Sequence, residues 1–151
     1  MSASTALPDT RITDDMIALV VERFYAAIRR HPVLAPVFEN AIAADEWPAH
    51  LATMRRFWSA VMQASGAYSG NPVAVHRVVP GMDRALFPHW LALFEATATE
   101  LFAPDVSSRF IAKAQRIADS LRLAVFHRPG DPPDGLSPPA RRAPQAAAPC
   151  N

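Results

Sequence analysis

Four side chains carry more chemistry than an ordinary helical core requires: Tyr25, His50, His76 and Trp90. His50 shares a helical face with Met54, Phe57 and Val61, so it looks inward along an apolar stripe. His76 follows a Gly-Asn-Pro turn and is flanked by Val73, Val75, Val78 and Val79. An imidazole in such company needs a partner, because burying its nitrogens unpaired costs roughly 1–3 kcal/mol. A metal is one such partner and a backbone carbonyl is another, and spacing alone favours an ordinary core histidine in both cases. Tyr25, beside Val21 and Ile28, and Trp90, on the core face of its helix, each end in a hydrogen-bond donor. Taken singly, either reads equally well as core. Together, the four would surround one flat apolar cofactor, with an imidazole for its metal and three polar tips for whatever the metal binds. That set points to haem.

The other histidines read differently. His31 and His127 fall at predicted helix C-termini, where an imidazole interacts with the last carbonyls and the helix dipole. His89 is one residue from Trp90, about 100° round the helix, and is read as a surface residue. There is no His-Glu-x-x-His, no pair of cysteines and no convergent carboxylate cluster, so zinc and di-iron sites lack ligands. Without Cys-x-x-Cys-His, covalent haem attachment is excluded. A single histidine on a non-covalent haem is compatible with the spacing. The pair Phe57–Trp58 reads as packing.

The elements that must position these residues are all helical. Thr13 is an N-cap followed by Asp14 and Asp15, and apolar residues then recur at Ile17, Val20, Val21, Phe24 and Ile28 until Pro32 forces a stop near His31. Leu34 to Phe38 makes a tight helical turn. The next helix opens at Trp47–Pro48 and runs past Met62, with Gly66 as its C-terminal cap. An irregular stretch from Tyr68 to Gly81 holds one short helix around Val73–Val79. A long helix carries Phe87, Trp90, Phe94 and Leu101, and a last one runs from Val106 to Val125. No alternating strand pattern or internal repeat is visible, so the expected class is all-α.

Length and composition bound the rest. A chain of 151 residues, half of them hydrophobic, suggests one domain with a real core. A net charge of +1 gives no sign of a nucleic-acid binder. No run approaches a membrane span, and Met1 to Ile12 lacks a secretory signal, so a cytoplasmic protein is expected. Residues 1–11 read as a flexible leader, 12–127 as the domain, and 128–151 as a disordered tail rich in proline and alanine. The lone Cys150 reads as an exposed thiol with no internal partner.

The stretches FYAAIRRHPVLAPVF (24–38), DEWPAHLATMRRFW (45–58), YSGNPVAVH (68–76) and LFPHWLALFEAT (86–97) carry a resemblance to the truncated globins, specifically their third group. The resemblance spans essentially the whole domain, and the glycine-pair motifs of the other two groups are not evident. It implies a two-over-two helical sandwich around a b-type haem. His76 matches the proximal histidine that binds iron, Tyr25 the distal tyrosine, His50 the distal histidine, and Trp90 the tryptophan aimed at bound ligand. Phe38 matches the phenylalanine packed on the haem face, and Phe57, Phe87 and Phe94 would line the pocket. The resemblance does not single out the propionate partners; Arg77 and Arg84 are candidates by position. The tail has no counterpart in the pattern.

The resemblance implies a globin that reversibly binds O2, NO or CO, with NO dioxygenase or peroxidase-like activity as possible redox outputs fed by an unidentified electron donor. His50 would gate entry, assist proton transfer or swing onto the iron. Two other readings compete: a haem-based redox or gas sensor, and a cofactor-free helical interaction module.

Overall fold

The computed structural model describes residues 11–126. The expectations for the leader before residue 11, for His127 and for the tail with Cys150 lie outside the described residues. Among the described residues there are six α-helices: α1 (Asp14–Ile28), α2 (Leu34–Ala41), α3 (Trp47–Gln63), α4 (Pro72–Arg77), α5 (Leu86–Leu101) and α6 (Pro104–Phe126), with one 3₁₀ turn at Ala44–Glu46. The fold is all-α. Helix α1 packs on α3, α5 packs on α6, and contact between α1 and α5 joins the two pairs into a two-over-two sandwich.

Local chemistry sets most boundaries. The Thr13 hydroxyl accepts from the Met16 backbone N–H at 3.2 Å, the N-cap expected of it. Helix α1 stops at Ile28, and His31 then does something other than cap its carbonyls. Its Nδ1 accepts from the backbone N–H groups of Val33 and Leu34, at 3.1 and 3.2 Å, and so starts α2. The expected single turn at Leu34–Phe38 is a helix of eight residues. Helix α3 ends at Gln63, short of Gly66, because Ala64 itself turns left-handed at φ 53°. Gly66, at φ 72°, belongs to the loop beyond. The Gln63 side chain ties this end to the start of the chain by donating to the Ile12 carbonyl at 2.9 Å.

The core sits where α1, α3, α5 and α6 cross. Val20, Val21, Phe24, Ile28, Trp58, Phe94, Phe110 and Ala114 have at most a trace of exposure. Phe94 anchors it: its ring stacks on Trp58 at 5.0 Å and on Trp90 at 5.9 Å, and meets Phe24 edge-on at 5.0 Å. Such aromatic pairs contribute about 0.5–1.5 kcal/mol each beyond their burial. Among the described residues, no helix is long and apolar enough to cross a membrane.

Candidate functional site

An apolar pocket of about 280 Å³ opens beside this core, and all six helices contribute to its wall. Tyr25 comes from α1, Phe38 from α2, His50 and Phe57 from α3, His76 from α4, Phe87 and Trp90 from α5, and Ile117 and Leu121 from α6. Seven of the eight candidate residues thus meet in one cavity. The eighth, Phe94, does not line it. One turn beyond Trp90, it lies a layer deeper and backs the Trp90 indole instead.

His76 is held in one tautomer. Its Nδ1 lies 2.6 Å from the carbonyl oxygen of Pro72, one turn back on α4. A carbonyl only accepts, so Nδ1 donates, which in the neutral ring leaves the lone pair on Nε2. Of the two partners considered for this imidazole, the backbone carbonyl is thus taken by Nδ1, and Nε2 is the nitrogen left to meet a metal. The short helix that carries it is fixed at its start, where the Asn71 side chain accepts from the Ala74 N–H at 3.0 Å.

Three polar tips reach the same cavity from other helices. Tyr25 is 4% exposed. Its hydroxyl makes no hydrogen bond among the described residues, and burial pushes the phenol far above its usual value, so it stays a donor. Its ring meets His50 edge-on at 5.1 Å. Burial first, and then the neighbouring His76, hold the His50 imidazole below its ordinary value and keep it neutral near pH 7. His50 Nε2 is buried with no partner among the described residues, a condition that costs about 1–3 kcal/mol unless a ligand or water meets it. Trp90 is half-buried, stacked on Phe94 and edge-on to Phe24 at 5.5 Å.

Three nearby side chains were not singled out from the sequence. Thr53 and Tyr68 line the pocket. The Thr53 hydroxyl is committed to the Ala49 carbonyl at 3.1 Å and accepts from Arg56 at 3.1 Å. Tyr68 stands edge-on to Phe57 at 5.2 Å, and its hydroxyl lies against Gly70, where a Cβ would come within 2.5 Å. Trp47 stands behind Tyr25 and His50, and its sequence signal was spent on marking the start of a helix. The two arginines considered for cofactor carboxylates are engaged with the end of α6. Arg77 donates to the Ala124 carbonyl at 2.7 Å, and Arg84 lies over the Phe126 ring at 5.2 Å.

The pocket suits a large, flat, apolar group that brings most of its own metal ligands. Among the described residues, no three His, Cys, Asp or Glu side chains group where they could hold a metal ion, and the imidazoles in the wall are those of His50 and His76. A fully enclosed void of this size would cost roughly 7 kcal/mol, as much as many domains have in total. Here one side opens, and the cost becomes apolar wall facing water.

No family model matches the chain. The chain is similar to the group 3 truncated hemoglobin ctb of Campylobacter jejuni, with 30% identity over 117 residues, 76% of this chain and 92% of that protein. The crystal structure of a group III truncated hemoglobin from Campylobacter jejuni has a TM-score of 0.72 and 30% identity to it, over 77% of this chain and 93% of that one.

Proposed function

Because the chain belongs to the group III truncated haemoglobins, we propose that it is a haem-binding globin in which His76 holds a b-type haem and Tyr25, His50 and Trp90 receive O2, NO or CO. The observation that carries this reading is the His76 ring, whose Nδ1 is pinned to the Pro72 carbonyl while the residue faces an apolar pocket. Haem, when bound, supplies an iron with one coordination position open to a small ligand. The remaining work belongs to the chain.

Phe38, Phe57 and Phe87 give the cofactor apolar walls and keep water from its faces. The Pro72 carbonyl orients His76 and raises the basicity of Nε2. Tyr25 and Trp90 bring an O–H and an N–H donor to the ligand. Each hydrogen bond to a charged ligand contributes about 1.5–3 kcal/mol, roughly ten- to a hundredfold in affinity. Neutral His50 adds a nitrogen able to accept or pass a proton. Two donors favour slow release, which suits capture or redox turnover better than delivery. We assign NO dioxygenase or peroxidase-like turnover as that redox chemistry, with electrons from a separate cytoplasmic donor.

A cofactor-free interaction module would leave an apolar cavity facing water and two distal polar tips without protein partners, and nothing in the site favours it. The test is a hemin titration of the full-length protein, followed by NO consumption by the reduced, oxygenated form with an electron donor. One equivalent per chain with a Soret band is expected. Sub-stoichiometric, featureless binding would overturn the reading. Stoichiometric haem without NO turnover would remove the dioxygenase assignment alone.

A further inference from the structure

His50 and Tyr25 share an unusual condition: neither the imidazole Nε2 nor the phenol hydroxyl has a hydrogen-bond partner among the described residues. Hydrogen bonds to the protein therefore do not set where these tips stand. Packing must do it.

The side chain packed against both is Trp47, the first residue of α3, only 3% exposed. Its ring centroid lies 6.2 Å from that of Tyr25 and 5.6 Å from that of His50, and Tyr25 and His50 are themselves 5.1 Å apart. The three rings form a closed triangle. Two helices build it: Tyr25 on α1, with Arg29 one turn on at that helix's C-cap, and Trp47 and His50, one turn apart on α3. Arg29 places its guanidinium over the Trp47 ring at 4.4 Å, and Glu39 of α2 holds that guanidinium through a 2.8 Å ion pair. Trp47 does not reach the pocket itself, and its indole N–H is buried without a partner among the described residues. Its N–H contributes no hydrogen bond there, so what Trp47 offers its two neighbours is the shape of its ring.

We infer that Trp47 is a positioning residue for the two distal tips: its indole, clamped from outside by Arg29, is the wedge that holds His50 and Tyr25 in one orientation towards the pocket. The inference rests on the ligand-binding reading for its consequence, but not for its geometry. The two rings depend on the wedge unequally. Tyr25 is also flanked by Phe24 at 5.2 Å and Phe38 at 6.1 Å, whereas the aromatic neighbours of His50 are Tyr25 and Trp47. Removing Trp47 therefore frees His50 first.

The experiment measures side-chain rotamers of His50 and Tyr25 by three-bond couplings in the full-length protein as purified, alongside O2 dissociation. Wild type and Trp47→Phe hold His50 in one χ1 rotamer, whereas Trp47→Leu averages His50 and leaves Tyr25 nearly fixed. O2 release rises about three- to tenfold in Trp47→Leu and stays within about twofold in Trp47→Phe. In a His50→Leu background, Trp47→Leu adds less than about twofold, because the ring it positions is gone. A merely structural role would lower the melting temperature without moving the rotamer. Should Trp47→Leu not fold, Arg29→Met tests the clamp and is expected to give partial averaging. A His50 that stays fixed in every folded variant overturns the inference, as does a Trp47→Phe variant as impaired as Trp47→Leu. A mobile His50 with unchanged O2 release supports the positioning and counts against the distal role of His50.

Discussion

The two sides of the pocket are built by different means. Tyr25, His50 and Trp90 stand on α1, α3 and α5, helices of 15, 17 and 16 residues whose buried faces form the core. His76 stands on α4, six residues long with none of them buried; Val75 within it is 57% exposed and Val78, at its C-cap, 77%. The first wall is held by aromatic stacking that needs no ligand. The second is held by an Asn71 cap, one carbonyl bond and the Arg77 tie to α6. On the proposed haem-binding reading, the contrast would separate two tasks: a rigid wall that discriminates among ligands, and a light metal-bearing helix that the cofactor itself would complete.

The largest effect expected from that contrast lies in the core. Phe94→Ala should cost about 3–5 kcal/mol in urea denaturation, with or without haem, while Val78→Ala should stay within about 0.5 kcal/mol. Equal costs at the two positions would erase the distinction. Amide exchange comes next. Haem should slow exchange across α4 by tenfold or more, whereas the α1 core amides should hardly respond. Tyr25→Phe or Trp90→Phe should speed O2 release several-fold, and unchanged rates in both would end the donor assignment. A smaller change is expected from Asn71→Ala, which removes the α4 cap at about 1 kcal/mol and should accelerate haem loss a few-fold.

The weakest effect is a pH dependence in the haem-free protein. Folding lowers the affinity of His50 for a proton, so the unfolded chain binds more protons as pH falls through the ordinary histidine range. Stability is therefore full above about pH 6.5 and declines below it until the folded-state value is passed. His50→Gln should flatten that decline, and an unaltered profile would show that burial of His50 is not its source.

Much of this was readable from helical periodicity. The stripes through Phe24, Phe57 and Phe94 located α1, α3 and α5, and with them which residues look inward. Periodicity reports faces but not depth, which is why Phe94 was expected on the pocket wall and is found behind Trp90. Tyr68 was missed because a loop residue has no face until its neighbours are placed. Trp47 was read as a helix-start signal beside Pro48, and nothing local distinguishes a tryptophan that opens a helix from one that also braces two rings. The histidine at position 31 shows the same limit: its place after α1 was legible, while its bonds run forward to α2. Arg77 and Arg84 have the right charge for carboxylates, but their contacts depend on where α6 ends.

Resonance Raman spectroscopy of the reduced, haem-loaded protein asks whether His76 would supply the nitrogen bound to iron. Wild type should show an iron–histidine stretching band that disappears in His76→Gly and returns when free imidazole is added. A band that persists in His76→Gly without imidazole would contradict the account.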